Sequence, residues 1–416
     1  MPENFHIDMP EAVRNIIHTI EEHGFKAYAV GGCIRDSILG RNPDDWDITT
    51  SAVPSQIKTF FKRTVDTGIA HGTVTIMIDK TGYEVTTYRI DGEYEDGRHP
   101  KSVEFSDRLV DDLCRRDFTI NAMAYNDTDG FVDEFKGLDD LDTKIIRCVG
   151  EPELRFTEDA LRMMRAIRFS AQLGFTIDEA TWNAIKKLSP SISKISMERV
   201  HVELGKTLMS AHPDYVAQYS EAGLFAPILP VIDNALKSRY KRKILATLQH
   251  TPDNIYLRYA ALFITSTPDE AAKTLRALKL DNKTVNTVSK LVELSKMDIE
   301  ETEPAVRTAL NKYGRDFLPL WHELMMAVIQ ASEDITGISN PAKVKHLLTL
   351  KRLGTDILAR GDCFTIKDLD ISGNDLIEYG LQGHEIGETL KSLLDIVIEN
   401  PKLNDKATLI AMIEHI

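Results

Sequence analysis

The stretch Ala27-Tyr-Ala-Val-Gly-Gly-Cys-Ile-Arg-Asp-Ser-Ile-Leu-Gly-Arg-Asn-Pro-Asp-Asp-Trp-Asp-Ile-Thr-Thr50 decides how the first third of this 416-residue chain is read. An apolar strand runs into Gly31-Gly32, a short helix follows, and two carboxylates, Asp45 and Asp47, come one residue apart. Side chains at i and i+2 of a strand share a face, so Asp45 and Asp47 converge on one cation. Mg2+ is commonly held by one or two carboxylates together with substrate phosphates. The glycines let backbone approach a polyphosphate, and the helix behind them offers free N–H groups and the positive end of its dipole. Arg35, one turn in, adds a planar fork for phosphate oxygens. Strand, Gly-Gly, helix and Asp-x-Asp in this order predict a nucleotide–metal site. The stretch carries neither a Walker loop nor Gly-x-Gly-x-x-Gly.

Composition bounds the rest. The length allows two to four domains with sizeable cores. No apolar run approaches a membrane span, and the start (Met-Pro-Glu-Asn-Phe-His) lacks a basic, apolar signal peptide, so a cytoplasmic protein with no membrane partner is expected. Cys33, Cys114, Cys148 and Cys363 lie far apart, which predicts reduced, buried thiols rather than a disulfide framework or a zinc site. A formal charge of −14 argues against a sequence-independent nucleic-acid coat, and no DNA partner is expected. It leaves room for a local basic groove, because net charge averages over the surface.

Patterning predicts an α+β head followed by a long all-helical remainder. Up to about residue 145 elements alternate: a helix over 11–22, a strand over 26–30, the Gly-Gly helix, the Asp-x-Asp strand and a short helix over 54–61. A hairpin of 74–78 with 83–89 follows, with Lys80-Thr81-Gly82 in its turn. The polar stretch 91–100 has no apolar period and is read as a mobile loop. From about residue 150 the period is helical throughout. Residues 157–173 predict one amphipathic helix N-capped by Thr157, and 197–209 another.

Three further constellations carry chemistry. Glu84, in the strand 83–89, is a third metal ligand, a base for an attacking hydroxyl, or an exposed strand residue. In Arg115-Arg116-Asp117-Phe118-Thr119-Ile120-Asn121, the arginines suit a triphosphate and Asp117 and Asn121 a ribose hydroxyl, or the whole is a salt-bridged helix start. Asp159 and Arg162 are three apart and share one face of the predicted helix. A carboxylate that accepts beside a guanidinium that donates matches cytosine and adenine, which present an amino donor next to a ring-nitrogen acceptor, and rejects uracil and guanine. The plainer alternative is an i,i+3 surface ion pair worth tenths of a kcal/mol. Arg165 and Arg168 continue the three-residue spacing as phosphate holders or as a solvated basic face, with Leu161, Met164, Ile167 and Phe169 on the packed side.

These residues resemble the class II tRNA nucleotidyltransferases, the CCA-adding enzymes, which share a head with bacterial poly(A) polymerases. The resemblance rests on Val30-Gly-Gly-Cys-Ile-Arg-Asp36, Asp44-Asp-Trp-Asp-Ile-Thr-Thr50, Gly68-Ile-Ala-His-Gly-Thr-Val74 and Arg115-Arg-Asp-Phe-Thr-Ile-Asn-Ala-Met-Ala124. Glu158-Asp-Ala-Leu-Arg-Met-Met-Arg-Ala-Ile-Arg-Phe169 and Met197-Glu-Arg-Val-His-Val-Glu-Leu204 follow in the family's order. It implies a nucleotidyltransferase head over 1–145, a neck over 146–205, a helical body over 206–310 and a tRNA-binding tail over 311–416. It implies Mg2+ on Asp45 and Asp47, nucleotide contacts from Gly32, Arg35, Arg116, Arg165 and Arg168, and an amino-acid template made of Asp159 and Arg162. The implied reaction adds C, C and A to the 3′ end of tRNA from CTP and ATP. Ile371-Ser-Gly-Asn-Asp-Leu376 looks like a late motif of the low-GC Gram-positive type, although Gly383-His384 stands where that type often has Gly-Pro. Some members carry a His-Asp hydrolase module; here Arg258-Tyr-Ala-Ala-Leu-Phe-Ile264 holds no such pair, and that activity is not expected.

The remaining readings are an A-adding enzyme, a poly(A) polymerase and a CC-adding enzyme. The match at 158–169 and the tail disfavour the second, and the loop at 91–100 disfavours the third. A non-catalytic RNA-binding relative would have no need of the intact carboxylate pair. Lys237–Lys243 and Lys343–Arg352 are read as phosphate contacts or as solvated helix faces.

Overall fold

The computed structural model describes residues 6–92 and 102–413, and the chain gathers into two compact units, 1–230 and 231–416. The first begins with α1 (Glu11–Glu22), which buries Val13, Ile16, Ile17 and Ile20 along one stripe. β1 (Ala27–Val30) is buried along its whole length, α2 (Gly32–Ile38) follows, and β2 (Asp47–Thr50) returns antiparallel to β1. Then come α3 (Pro54–Phe60), β3 (Thr64–Gly68), β4 (Thr73–Ile78) and β5 (Thr81–Thr87). β6 (Arg89–Asp91) and β7 (Val103–Phe105) pair as a separate ribbon. After α4 (Leu109–Cys114), β8 (Ala124–Asn126) and β9 (Gly130–Val132) complete a seven-stranded sheet in the order β3-β4-β5-β2-β1-β8-β9. Beneath it Tyr28, Val30, Tyr88, Leu113, Ala124 and Val149 form a buried cluster.

α5 (Gly137–Asp142), α6 (Pro152–Glu158), α7 (Leu161–Leu173), α8 (Glu179–Leu188) and α9 (Met197–Leu208) follow the sheet in this unit. The second unit is helical throughout, with Lys241–His250 packed on Phe317–Thr336 and Phe317–Thr336 on Pro341–Arg360. Near its end Leu376, Leu393, Leu394, Val397 and Leu409 pack as one core. No helix among the described residues is long and apolar enough to cross a membrane.

Several local expectations change. The hairpin turn is Asp79-Lys80, both at positive φ (47° and 71°), rather than Lys80-Thr81-Gly82. Two such residues make the tight turn that matches the strands' right-handed twist. Asp45 lies ahead of β2 instead of in it, yet the alternation survives: Asp45 and Asp47 are exposed and Trp46 between them is buried. The single helix over 157–173 is two helices. Asp159 is extended (φ −143°, ψ 104°) and divides α6 from α7, while Thr157 sits inside α6 with its hydroxyl donating to the Glu153 carbonyl. Cys114 is exposed, whereas the other three thiols are buried as expected. The stretch 91–100, read from the sequence as a loop, lies outside the described residues from 93 onward.

Candidate active site

Gly31 links β1 to α2 at φ 87°, a conformation open to glycine, and an added Cβ would stand 3.0 Å from Arg116 Nη1. The turn therefore carries backbone under a guanidinium without a side chain between them. Behind it a cleft of about 520 Å3 is lined by Gly32, Arg35, Asp45, Asp47, Arg168 and Ser210. Among the described residues, neither Asp45 nor Asp47 is in an ion pair. Loss of water around Asp47 raises its pKa above the ordinary carboxylate value, Arg116 opposes the rise, and the charge of Asp45 adds to it. Two carboxylates that repel each other in a cleft, neither of them ion-paired among the described residues, fit a divalent metal. Burial, followed by the field of Asp47, pushes the neighbouring Cys33 thiol up to about 12, so it stays protonated.

Glu84 falls in line with Asp47, because Ile48 pairs with Val85 in the parallel β2–β5 ladder. It is exposed, and no group of three or more acidic, His or Cys side chains suited to a metal occurs among the described residues.

The predicted nucleotide-binding residues are joined by a buried network. Arg35 donates to Asp36 and, at 2.5 Å, to Asn121; Asn121 donates to Asp117 at 3.0 Å. Asp117 also accepts from Arg165 at 2.7 Å and from the Phe118 N–H. Burial opposes ionisation of Asp117, but Arg165 and then the Asn121 amide outweigh it and hold the carboxyl far below its ordinary value. Asp117 and Asn121 are thus buried and engaged with protein, positioned to aim Arg35 and Arg165. The arginine stripe is not a solvated face: Arg168 is buried and donates to Glu203 at 2.6 Å. Phe169 sits under three guanidinium groups, 5.0 Å from Arg35, 5.3 Å from Arg165 and 3.7 Å from Arg168.

Asp159 and Arg162 do not form the i,i+3 ion pair. Asp159 accepts from the Leu161 N–H at 3.0 Å and pairs with Arg199 of α9 at 2.7 Å. Arg162 pairs with Glu158 at 2.6 Å and donates to the Arg115 carbonyl at 2.9 Å. Arg162 and Arg116 thus meet the same turn after α4 without lining the Asp45–Asp47 cleft.

Sequence reasoning missed Arg199, Glu203 and Asp112. Glu203 falls on the buried stripe of α9 with Val200, Leu204 and Thr207, and a charge on an apolar stripe signals a hidden partner. Asp112 precedes Arg115 and Arg116 by three and four residues, the spacing of helical ion pairs.

Comparisons with known proteins identify the family. A Poly A polymerase head domain matches residues 27–147, an RNA- and SrmB-binding region of polymerase A matches 174–236, and domain 2 of tRNA nucleotidyltransferases matches 256–413. The CCA-adding enzyme of Pediococcus pentosaceus is 34% identical across 99% of this chain and 98% of its own. That of Limosilactobacillus fermentum is 37% identical across 96% and 95%. The crystal structure of the Bacillus stearothermophilus CCA-adding enzyme in complex with CTP superposes with a TM-score of 0.75 at 32% identity, covering 97% of this chain and 96% of that one. The Thermotoga maritima enzyme complexed with tRNA shares the fold, with a TM-score of 0.60 at 21% identity over 99% and 97% of the two chains. With relatives matched over nearly their full length, this chain belongs to the CCA-adding enzyme family of nucleotidyltransferases.

Proposed function

We propose that this protein adds C, C and A in turn to the 3′ end of tRNA, consuming CTP and ATP and releasing pyrophosphate. The observation that carries the reading is the Asp45–Asp47 pair, not ion-paired among the described residues, in a cleft that Arg35 and Arg168 also line. Members of this family work with a divalent metal, and we assign Mg2+ to the two carboxylates. Bound there, it supplies charge neutralisation at the phosphates and acidifies the attacking 3′-hydroxyl.

The chain's own residues do the rest. Gly31 and Gly32 admit the triphosphate close to backbone, and Arg35, Arg116, Arg165 and Arg168 receive its charge. Asp117 and Asn121 aim the arginines. Glu84 stands one strand from Asp47, where a base for the hydroxyl proton would act across a bound substrate. Asp159 accepts from the exocyclic amino group of C or A, and Arg162 donates to the adjacent ring nitrogen. To do so each leaves its present partner, Arg199 or Glu158. We assign the head to 1–145, the neck to 146–205, the body to 206–310 and the tRNA-binding tail to 311–416, and we assign the activity to the cytoplasm.

The test uses tRNA transcripts ending at the discriminator base, at C and at CC, each with labelled CTP, ATP or both. Two C and one A followed by a stop is the expected result. A-addition to the CC end alone makes this an A-adding enzyme, and extended A runs make it a poly(A) polymerase.

A further inference from the structure

Asp112 is completely buried, at 0% exposure, in α4, and its carboxylate holds three side chains at once. Its Oδ1 accepts from Arg115 Nε at 2.9 Å and Nη2 at 2.8 Å. Its Oδ2 accepts from Arg116 Nη2 at 3.2 Å and from the Thr49 hydroxyl at 3.1 Å. Thr49 is on β2, two residues beyond Asp47 and on the same side of the strand. Arg116 reaches from Asp112 to the Gly31 turn, and its charge also acts on Asp47.

The Arg116 guanidinium is therefore bonded to buried Asp112 and stands over the Gly31 turn, while its charge also reaches Asp47. Burial opposes ionisation of Asp112, yet Arg115 and Arg116 more than compensate and keep its carboxyl below the ordinary value. An anion at 0% exposure, bonded to Arg116 at 3.2 Å, ties that guanidinium to α4 beside the Gly31 turn. Without it, Arg116 is free to swing onto Asp47, removing a phosphate donor and neutralising a metal ligand together.

We propose that Asp112 is a positioning residue for nucleotidyl transfer: it restrains Arg116 over the Gly31 turn, ready for the triphosphate, and away from Asp45 and Asp47. The inference rests on the nucleotidyl-transfer reading. It assigns Asp112 no contact with substrate.

CTP binding to the full chain in EDTA, followed by calorimetry, tests this without metal or turnover. Asp112→Asn and Arg116→Gln should each weaken metal-free CTP binding by about tenfold, and the double variant by no more than either alone, since both remove one interaction. Melting temperatures are measured alongside. Multiplicative losses in the double variant, or CTP affinity retained in Asp112→Asn, overturn the proposal. If Asp112→Asn does not fold, Thr49→Val carries the test: it loosens Asp112 from one side and should weaken CTP binding by about two- to fivefold, and unchanged affinity again overturns the role. A wild-type chain that binds CTP neither in EDTA nor with Mg2+ restored would instead refute the nucleotidyl-transfer reading itself.

Discussion

At Asp47 a charge is held where the fold alone would not favour it. Desolvation, and the neighbouring charge of Asp45, raise its pKa, so the folded chain binds this proton more tightly than the unfolded chain does. Its contribution to stability therefore grows as pH falls from the raised value toward the ordinary 3.8, and at neutral pH the ionised group opposes folding. Asp47→Asn should lower single-turnover C addition by on the order of 100-fold or more while raising the melting temperature at pH 7. A variant that loses both activity and stability would show that the carboxylate is structural. Asp112 and Asp117 run the other way. Their pKa values are depressed, so the stability they give is complete above 3.8 and is lost as pH falls through their folded values. Acid unfolding of the chain should lose part of its steepness below pH 4 in Asp117→Asn, measured by melting at stepped pH.

The elements show where patterning suffices and where it does not. α1 emerges at the predicted bounds because Val13, Ile16, Ile17 and Ile20 keep the helical spacing with nothing to interrupt it. The paired carboxylates were legible for a similar reason, since exposed, buried, exposed at 45, 46 and 47 is a local alternation. The break between α6 and α7 was not legible. Residues 157–162 contain no Pro or Gly, and the extended Asp159 at the interruption pairs with Arg199, forty residues away. The network of Arg35, Asn121, Asp117 and Arg165 escaped for the same reason, as its members come from three separate segments. Motif order marked these residues as functional, but which of them face substrate and which hold the others depends on tertiary packing. One element contact is tight enough to test. A Cβ on Gly137, at the start of α5, would lie 2.3 Å from the Thr119 carbonyl oxygen. Gly137→Ala should cost about 1–3 kcal/mol in denaturant unfolding, as overpacking against backbone does. Because Thr119–Asn121 is the turn that holds Asn121, the same variant should raise the KM for CTP.

Across the whole molecule, a chain of charge −14 is assigned a polyanionic substrate. Its basic groups must therefore act locally. In the second unit the two lysine-rich stretches read from the sequence meet: Lys243 and Lys343 both line a cavity of about 560 Å3 with Trp321, Met325 and Ile338. Neither lysine is ion-paired among the described residues. If they meet tRNA phosphates, Lys243→Gln and Lys343→Gln should each lower the slope of log affinity against log salt by about 1, for all tRNA sequences alike. An unchanged slope would make them solvated helix faces. The sheet order has a consequence of another kind. β2 is the middle strand of seven, with β5, β4 and β3 on one side and β1, β8 and β9 on the other, whereas β6 and β7 pair outside the sheet. Fraying starts at edges, so the amides of residues 47–50 should be among the last in the first unit to exchange with deuterium, and those of 89–91 among the first. Asp47 then shares the lifetime of the sheet's centre, and catalytic capacity in a heated or denatured sample should vanish only with global opening.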